Sequence, residues 1–402
     1  MTTTAKPTLK RTSLDSWLRQ LGLTRFDITV ILTVLLLLGA IAGTLLFGVE
    51  DFGGVQVAYM QEPDRAAGES GTGEIYLVSM ETGNTRQLTD SAGIILDFDV
   101  SGDGDSIVYS ERDTDTGRAD LYLISLLTGE TRQLTNCIMQ DSDCLAPEFR
   151  PDGQMIAYER IDYNSELGLG VSPNRIWLLD LEANATAPLF EDSQILGNTA
   201  VWADNGRRLA MYDNNSRGIV IYNFDANTDN EDELVGFIPS DMGLVGEFSP
   251  DGTRMIYPEI VIEDGGARSY LQLADFTTGF LSNVTDPGEL ADDQFTDWSP
   301  DGRYIAIGRR YDTQATQVYL YDTQAGGIEP LGDIFDPKYN HSPFQWNASS
   351  DRLVIQRFQM FDESGGFYNN GQLEIWAYDL NTGQMQKLVE NARNPQWVPA
   401  VD

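Results

Sequence analysis

A cassette of about fifty residues recurs along the 402-residue chain, and it is built only of short strands and tight turns. Each copy carries an aromatic or apolar residue, a turn of the Ser-Pro-Asp-Gly kind, an apolar strand, and a second apolar strand that ends in a Thr-Gly turn. The turns stand at 101–104, 150–153, 203–206, 249–252, 299–302 and, in degenerate form, 347–350, with Trp397 a seventh aromatic in register. The intervals run from 46 to 53 residues. A period of this size without helices is the signature of propeller blades. In the turn, proline presets φ, aspartate bonds its own backbone and glycine accepts a positive φ, so each turn joins two antiparallel strands.

Strand counting predicts the closure. The first cassette, from Val55, lacks an innermost strand, whereas residues 394–398 form an innermost strand with nothing after it. The expected fold is therefore an all-β propeller of seven four-stranded antiparallel blades over residues 55–402, with the C-terminal strand completing the N-terminal blade. Six or eight blades would require a miscounted cassette. The weak copies are the fourth, interrupted by the acidic run at 225–233, and the seventh, whose turn lacks proline and glycine. Fourth strands such as Thr85-Arg-Gln-Leu-Thr read as short and polar, which suits exposed outer edges.

The repeats, best expressed in Phe248-Ser-Pro-Asp-Gly and Trp298-Ser-Pro-Asp-Gly, resemble the TolB-type propeller repeat. That family is related to WD-repeat propellers and to the propeller domains of prolyl oligopeptidase and dipeptidyl peptidase enzymes. The resemblance covers roughly residues 55–399 and implies envelope assembly or partner docking. Seven blades depart from the six of TolB itself. The peptidase activity does not carry over, because no α/β segment is present to supply the hydrolase domain. A repeat of this kind specifies fold far better than function.

Residues 28–47 contain no charge and are long enough to cross a bilayer as a helix. Lys6, Lys10, Arg11, Arg19 and Arg25 precede the run, and Glu50 and Asp51 follow it. The positive-inside bias predicts a single-pass signal anchor in the cytoplasmic membrane, with residues 1–27 inside, a linker at 48–54, and the propeller outside, periplasmic or extracellular. The competing reading is a cleaved signal peptide with Ala40-Ile-Ala42 as its cleavage site. Before the run, Leu14, Trp17, Leu18 and Leu21 fall on one face of an expected amphipathic helix. Gly39 and Gly43 form a GxxxG pair through which a homodimer could pack.

The chain has 26 basic and 62 acidic residues and a net charge of −36. Nucleic-acid binding is disfavoured, since phosphate contacts need a basic footprint. The acidity serves solubility or attracts cationic partners. Cys137 and Cys144 are the only cysteines, and outside the membrane they read as a disulfide staple, with a free thiol pair as the alternative.

The single histidine, His341, excludes multi-histidine metal centres of the sort used by propeller-type pectate-degrading lyases. Its neighbours Asn340 and Ser342 read as a surface loop. There is no Gly-x-Ser-x-Gly elbow, and the acidic runs at 97–105 and 225–233 do not match a calcium loop and read as solvated turns. One constellation remains. The residue before each turn-opening aromatic is Asp99, Glu148, Val201, Glu247, Asp297, Gln345 and Gln396 in the seven copies. Strand alternation directs this position toward the central channel. Four carboxylates at one level would raise one another's pKa or recruit a cation, with calcium the metal suited to hard oxygen ligands. The alternatives are solvation one by one, or hydrogen bonds to the backbone of neighbouring blades. Two functions follow: a non-enzymatic module that binds a protein or peptide, and, second, a calcium-assisted hydrolase or lactonase-like enzyme that uses Asp99, Glu148, Glu247 and Asp297. The longest connections, at 63–73, 163–174 and 361–371, are candidate recognition loops.

Overall fold

The computed structural model describes residues 54–63, 73–165, 168, 170–224, 235–263, 266–312, 314–332, 336–368 and 371–400. The expected anchor, the amphipathic segment, the linker through residue 53 and the Gly39/Gly43 pair lie outside them. Among the described residues no helix is long and apolar enough to cross a membrane.

Residues 53–402 form one compact unit of seven four-stranded antiparallel sheets. Each sheet is one blade, numbered here in chain order. The innermost strands of blades 2 to 7 are Ile94–Val100, Ser142–Phe149, Asn198–Trp202, Glu247–Phe248, Asp292–Trp298 and Tyr339–Trp346. Blade 1 takes its innermost strand, Ala392–Val398, from the C-terminal end, where it pairs antiparallel with Gln56–Gln61. Each innermost strand touches the next, and blade 1 touches blade 2, which closes the ring. The blade count and the mode of closure are as expected from the repeat. The fourth blade also stands: its acidic insertion falls between the third strand, Gly218–Asn223, and the fourth, Val235–Pro239.

Local chemistry explains the turn sequence. Ser101, Ser249 and Ser299 are buried, and each hydroxyl donates to the turn aspartate while accepting an amide from the following strand. In blade 7 Asn347 does the same work with one amide group. Its Oδ1 accepts from the Arg352 N–H at 2.9 Å and its Nδ2 donates to Asp351 at 2.7 Å, while Ser350 adopts the φ of 59° otherwise given to glycine. The degenerate turn thus keeps the geometry. At Gly104, φ is 73° and a Cβ would lie 2.2 Å from the Pro399 carbonyl oxygen, so that position admits only glycine.

The threonine that follows the fourth strands, in Gln-Leu-Thr at 87–89 and 133–135 and Asn-Val-Thr at 283–285, also has a structural reason. Thr89, Thr135 and Thr285 are buried, and their hydroxyls accept the backbone N–H of Ile75, Leu121 and Leu271 on the third strands of their blades. Between the blades, apolar residues of facing sheets pack into seven buried clusters. Tyr59, Tyr158 and Tyr257 are among the largest fully buried side chains.

Cys137 and Cys144 are joined by a disulfide with Cα atoms 6.0 Å apart. It brackets a single 3-10 turn, Ile138–Gln140, at the entry to blade 3. His341 departs from expectation. It lies in the innermost strand of blade 7 and is fully buried, and burial together with the Arg357 guanidinium pushes its imidazole down to about 4. The Asn-His-Ser-Pro sequence reads as a turn, yet the segment through His341 pairs with Arg352–Gln359 of its own blade, and the His341 N–H donates to the Thr316 carbonyl of blade 6 at 2.9 Å.

Candidate functional site: an acidic central cavity

All seven aligned positions, Asp99, Glu148, Val201, Glu247, Asp297, Gln345 and Gln396, line one cavity of about 590 Å³. They come together because each is the penultimate residue of its innermost strand or immediately precedes the buried residue that seals the blade. Alternation puts one into the sheet interface and the other toward the axis. Two further carboxylates belong to the same wall, Asp97 and Asp204. The run at 97–105 is therefore not simply a solvated turn: Asp97 and Asp99 sit on the innermost strand of blade 2, and only its later acids occupy the turn. Asp97 was signalled by its position two residues before Asp99, and so on the same side of the strand. Asp204 was signalled by taking the proline position of its turn. No lysine or arginine is among the residues that line the cavity.

The ring is not uniform. In blades 6, 7, 1 and 2, which are consecutive, the ring side chain accepts a backbone N–H from the next blade. Asp297 accepts from Trp346, Gln345 from Trp397 at 2.9 Å, Gln396 from Val100 at 3.0 Å, and Asp99 from Phe149 at 2.7 Å. Gln396 also donates to the Phe98 carbonyl at 3.0 Å. Indole groups reciprocate: Trp346 Nε1 donates to the Asp297 carbonyl at 3.1 Å and Trp397 Nε1 to the Gln345 carbonyl at 2.9 Å. Here the ring residues are seams between blades.

In blades 3 to 5 the pattern stops. Among the described residues neither Glu148 nor Glu247 accepts an N–H from the next blade, and Val201 has no polar atom to offer. Trp202 Nε1 still reaches the Glu148 carbonyl, at 3.3 Å, but Trp298 Nε1 has no partner. Side-chain length does not account for this, since Gln345 spans the same gap with the same number of bonds. The two glutamates are left facing the cavity.

Electrostatics follow from that geometry. The ring acids are only half-buried by exposed area, because each keeps one side toward the cavity, yet protein surrounds them on the others. Burial is the first cause of every shift. It raises Glu148 well above the carboxylate range, with Asp99, Asp97 and Glu247 adding repulsion. It raises Glu247 likewise, with Asp297 and Asp204 adding to it. Asp297 is raised to about 7, the Trp346 amide opposing the shift. Asp99 is raised too, held back by its bonds to Phe149 and Val100, and Asp97 and Asp204 move upward chiefly by desolvation. The cavity therefore disfavours full ionisation of its carboxylates, and a cation bound there would favour their charged forms. Among the described residues no three His, Cys, Asp or Glu side chains gather closely enough to hold a metal ion.

No protein-family model and no curated protein matches the chain. Solved structures do. A puromycin-hydrolyzing peptidase from Mycobacterium tuberculosis aligns over 87% of this chain and 53% of its own, at 12% identity and a TM-score of 0.61. This chain thus spans about half the length of that peptidase. Oligogalacturonate lyase from Vibrio parahaemolyticus aligns over 83% of this chain and 84% of its own, at 14% identity and a TM-score of 0.56. TolB from Acinetobacter baumannii aligns over 89% and 70%, at 16% identity and a TM-score of 0.48. At these identities the likeness is one of fold.

Proposed function

We propose that this chain is a non-enzymatic binding module: a propeller anchored in the cytoplasmic membrane by residues 28–47, displayed on the outer side, which holds a protein or peptide by a cationic group inserted into the central cavity. The observation that carries the reading is the wall itself, with six carboxylates and no basic side chain. A lysine or arginine entering there would be desolvated against Glu148 and Glu247, the two ring acids with no partner across the blade seam. The chain's only histidine is buried in blade 7 and is not among the residues that line this cavity.

Calorimetric titration of the full chain in detergent with a short oligolysine peptide tests the reading. Binding is expected, and it should weaken at least about tenfold in the Glu148→Gln, Glu247→Gln double variant. Absence of binding, or equal binding by the variant, would overturn it. A calcium titration run alongside separates this reading from the metal-assisted hydrolase: calcium bound in the cavity in place of the peptide would favour the enzyme.

A further inference from the structure

Outermost strands of a propeller expose unpaired backbone, and most of those here are guarded by short, polar sequences such as Thr85–Gln87, Thr131–Gln133 and Ile328–Pro330. Blades 4 and 5 break this rule, contrary to the expectation that the fourth strands are uniformly polar. Their outermost strands, Val235–Pro239 and Phe280–Asn283, carry Phe237, Phe280 and Leu281 at 49%, 74% and 51% exposure. No other outermost strand among the described residues carries an exposed large apolar side chain. The three line one groove of about 300 Å³ between the two blades.

The groove is shaped rather than incidental. The Phe237 ring lies against Gly218, where a Cβ would come within 2.4 Å of it, so glycine there is what leaves room for the ring. Gly236 leaves the floor open over Ile221. Arg208 is already engaged, its guanidinium donating to the Gly252 carbonyl and standing 4.9 Å from the Phe276 ring. Each of the two outer strands is hydrogen-bonded on one side only.

We infer that this groove takes an extended peptide segment of another protein, in which apolar residues alternate with lysine or arginine. A strand added to either edge would place alternate side chains into the groove and the rest outward. The segment as a whole approaches a molecule with a net charge of −36, which favours basic residues at its outward positions and disfavours a second copy of the same chain. The site is separate from the central cavity, and its failure would leave the cavity reading intact.

The test is selection of a random peptide library, displayed on phage, against the full chain in detergent. Recovered peptides are then compared on Gly236→Leu, which fills the floor at a position whose Cβ would make only ordinary contact, on Phe280→Ser with Leu281→Ser, and on Leu127→Ser as an exposed control outside the groove. Alternating apolar and basic sequences whose affinity falls at least about tenfold in both groove variants and holds in the control support the proposal. Peptides that bind all variants equally, or no enrichment, overturn it. So does a self-associated chain in sedimentation that the groove variants make monomeric, because the occupant would then be a second copy.

Discussion

Two arcs of one ring, at the same level of the same repeat, do opposite things. From blade 6 round to blade 2 the ring side chains close the seams between blades. From blade 3 to blade 5 they do not, and there the carboxylates are left to the cavity. The first arc shows how a propeller uses a polar residue near its axis, since each buried amide on the following strand needs an acceptor. The second arc keeps a carboxylate at two of its three positions, Glu148 and Glu247, and drops the bond, which is what a binding wall requires. The apolar groove lies on blades 4 and 5, within that same second arc, so the departures from the repeat's own rules are concentrated on one side of the ring.

The sharpest way to break the comparison is to remove an acceptor from each arc. Gln345→Leu orphans the Trp397 amide and should cost about 1–3 kcal/mol in urea unfolding, whereas Glu148→Leu orphans nothing and should be near neutral or stabilising. Equal costs would mean that the arcs do not differ.

Charge and bond separate at Asp297. Its carboxyl titrates near 7 in the folded chain against an ordinary value of 3.8. The folded state thus keeps a proton that the unfolded state has already lost, and stability falls as pH rises across that window. Asp297→Asn keeps an acceptor for the Trp346 amide, as Gln345 does for Trp397, and removes the charge. The variant should be more stable than wild type at pH 8 by about 1–2 kcal/mol and equal to it near pH 4, read from unfolding curves at both. Destabilisation at pH 8 would mean that the ionised form makes the seam.

The second arc carries its own pH signature. Because burial raises Glu148 and Glu247 well above their ordinary value, cation binding favours loss of their protons, and oligolysine affinity should rise with pH above the ordinary carboxylate range by roughly three- to tenfold. Calorimetry in buffers of different ionisation enthalpy counts the protons released. The smallest effect is expected at the groove, where Phe280→Ser should change stability by no more than about 0.5 kcal/mol, since its ring is largely in water already. A larger loss would make the groove part of the core.

Much of this was legible in the residues. Proline, aspartate and glycine at fixed turn positions dictate hairpins, and counting the cassettes predicted seven blades with the closing strand at the C-terminal end. Alternation placed the ring positions at one cavity. What a single repeat does not encode is its neighbour: whether Asp99 is solvated or bonded depends on the Phe149 amide fifty residues away, which becomes adjacent only once the ring closes. His341 misled for a similar reason, its turn-like sequence being paired with the second strand of its own blade and bonded to the Thr316 carbonyl of the preceding blade. The exposed phenylalanines at 237 and 280 have the β-prone character of any strand, and only their place on an outer edge distinguishes them.

The most direct measurement compares two charge-matched double variants in the oligolysine titration: Glu148→Gln with Glu247→Gln, and Asp99→Asn with Asp297→Asn. Each removes two carboxylates from the same cavity. If the free arc is the binding wall, the glutamate pair loses at least about tenfold in affinity while the aspartate pair stays within about threefold of wild type. Equal losses in the two pairs would contradict the account, because diffuse negative charge alone would then explain the binding.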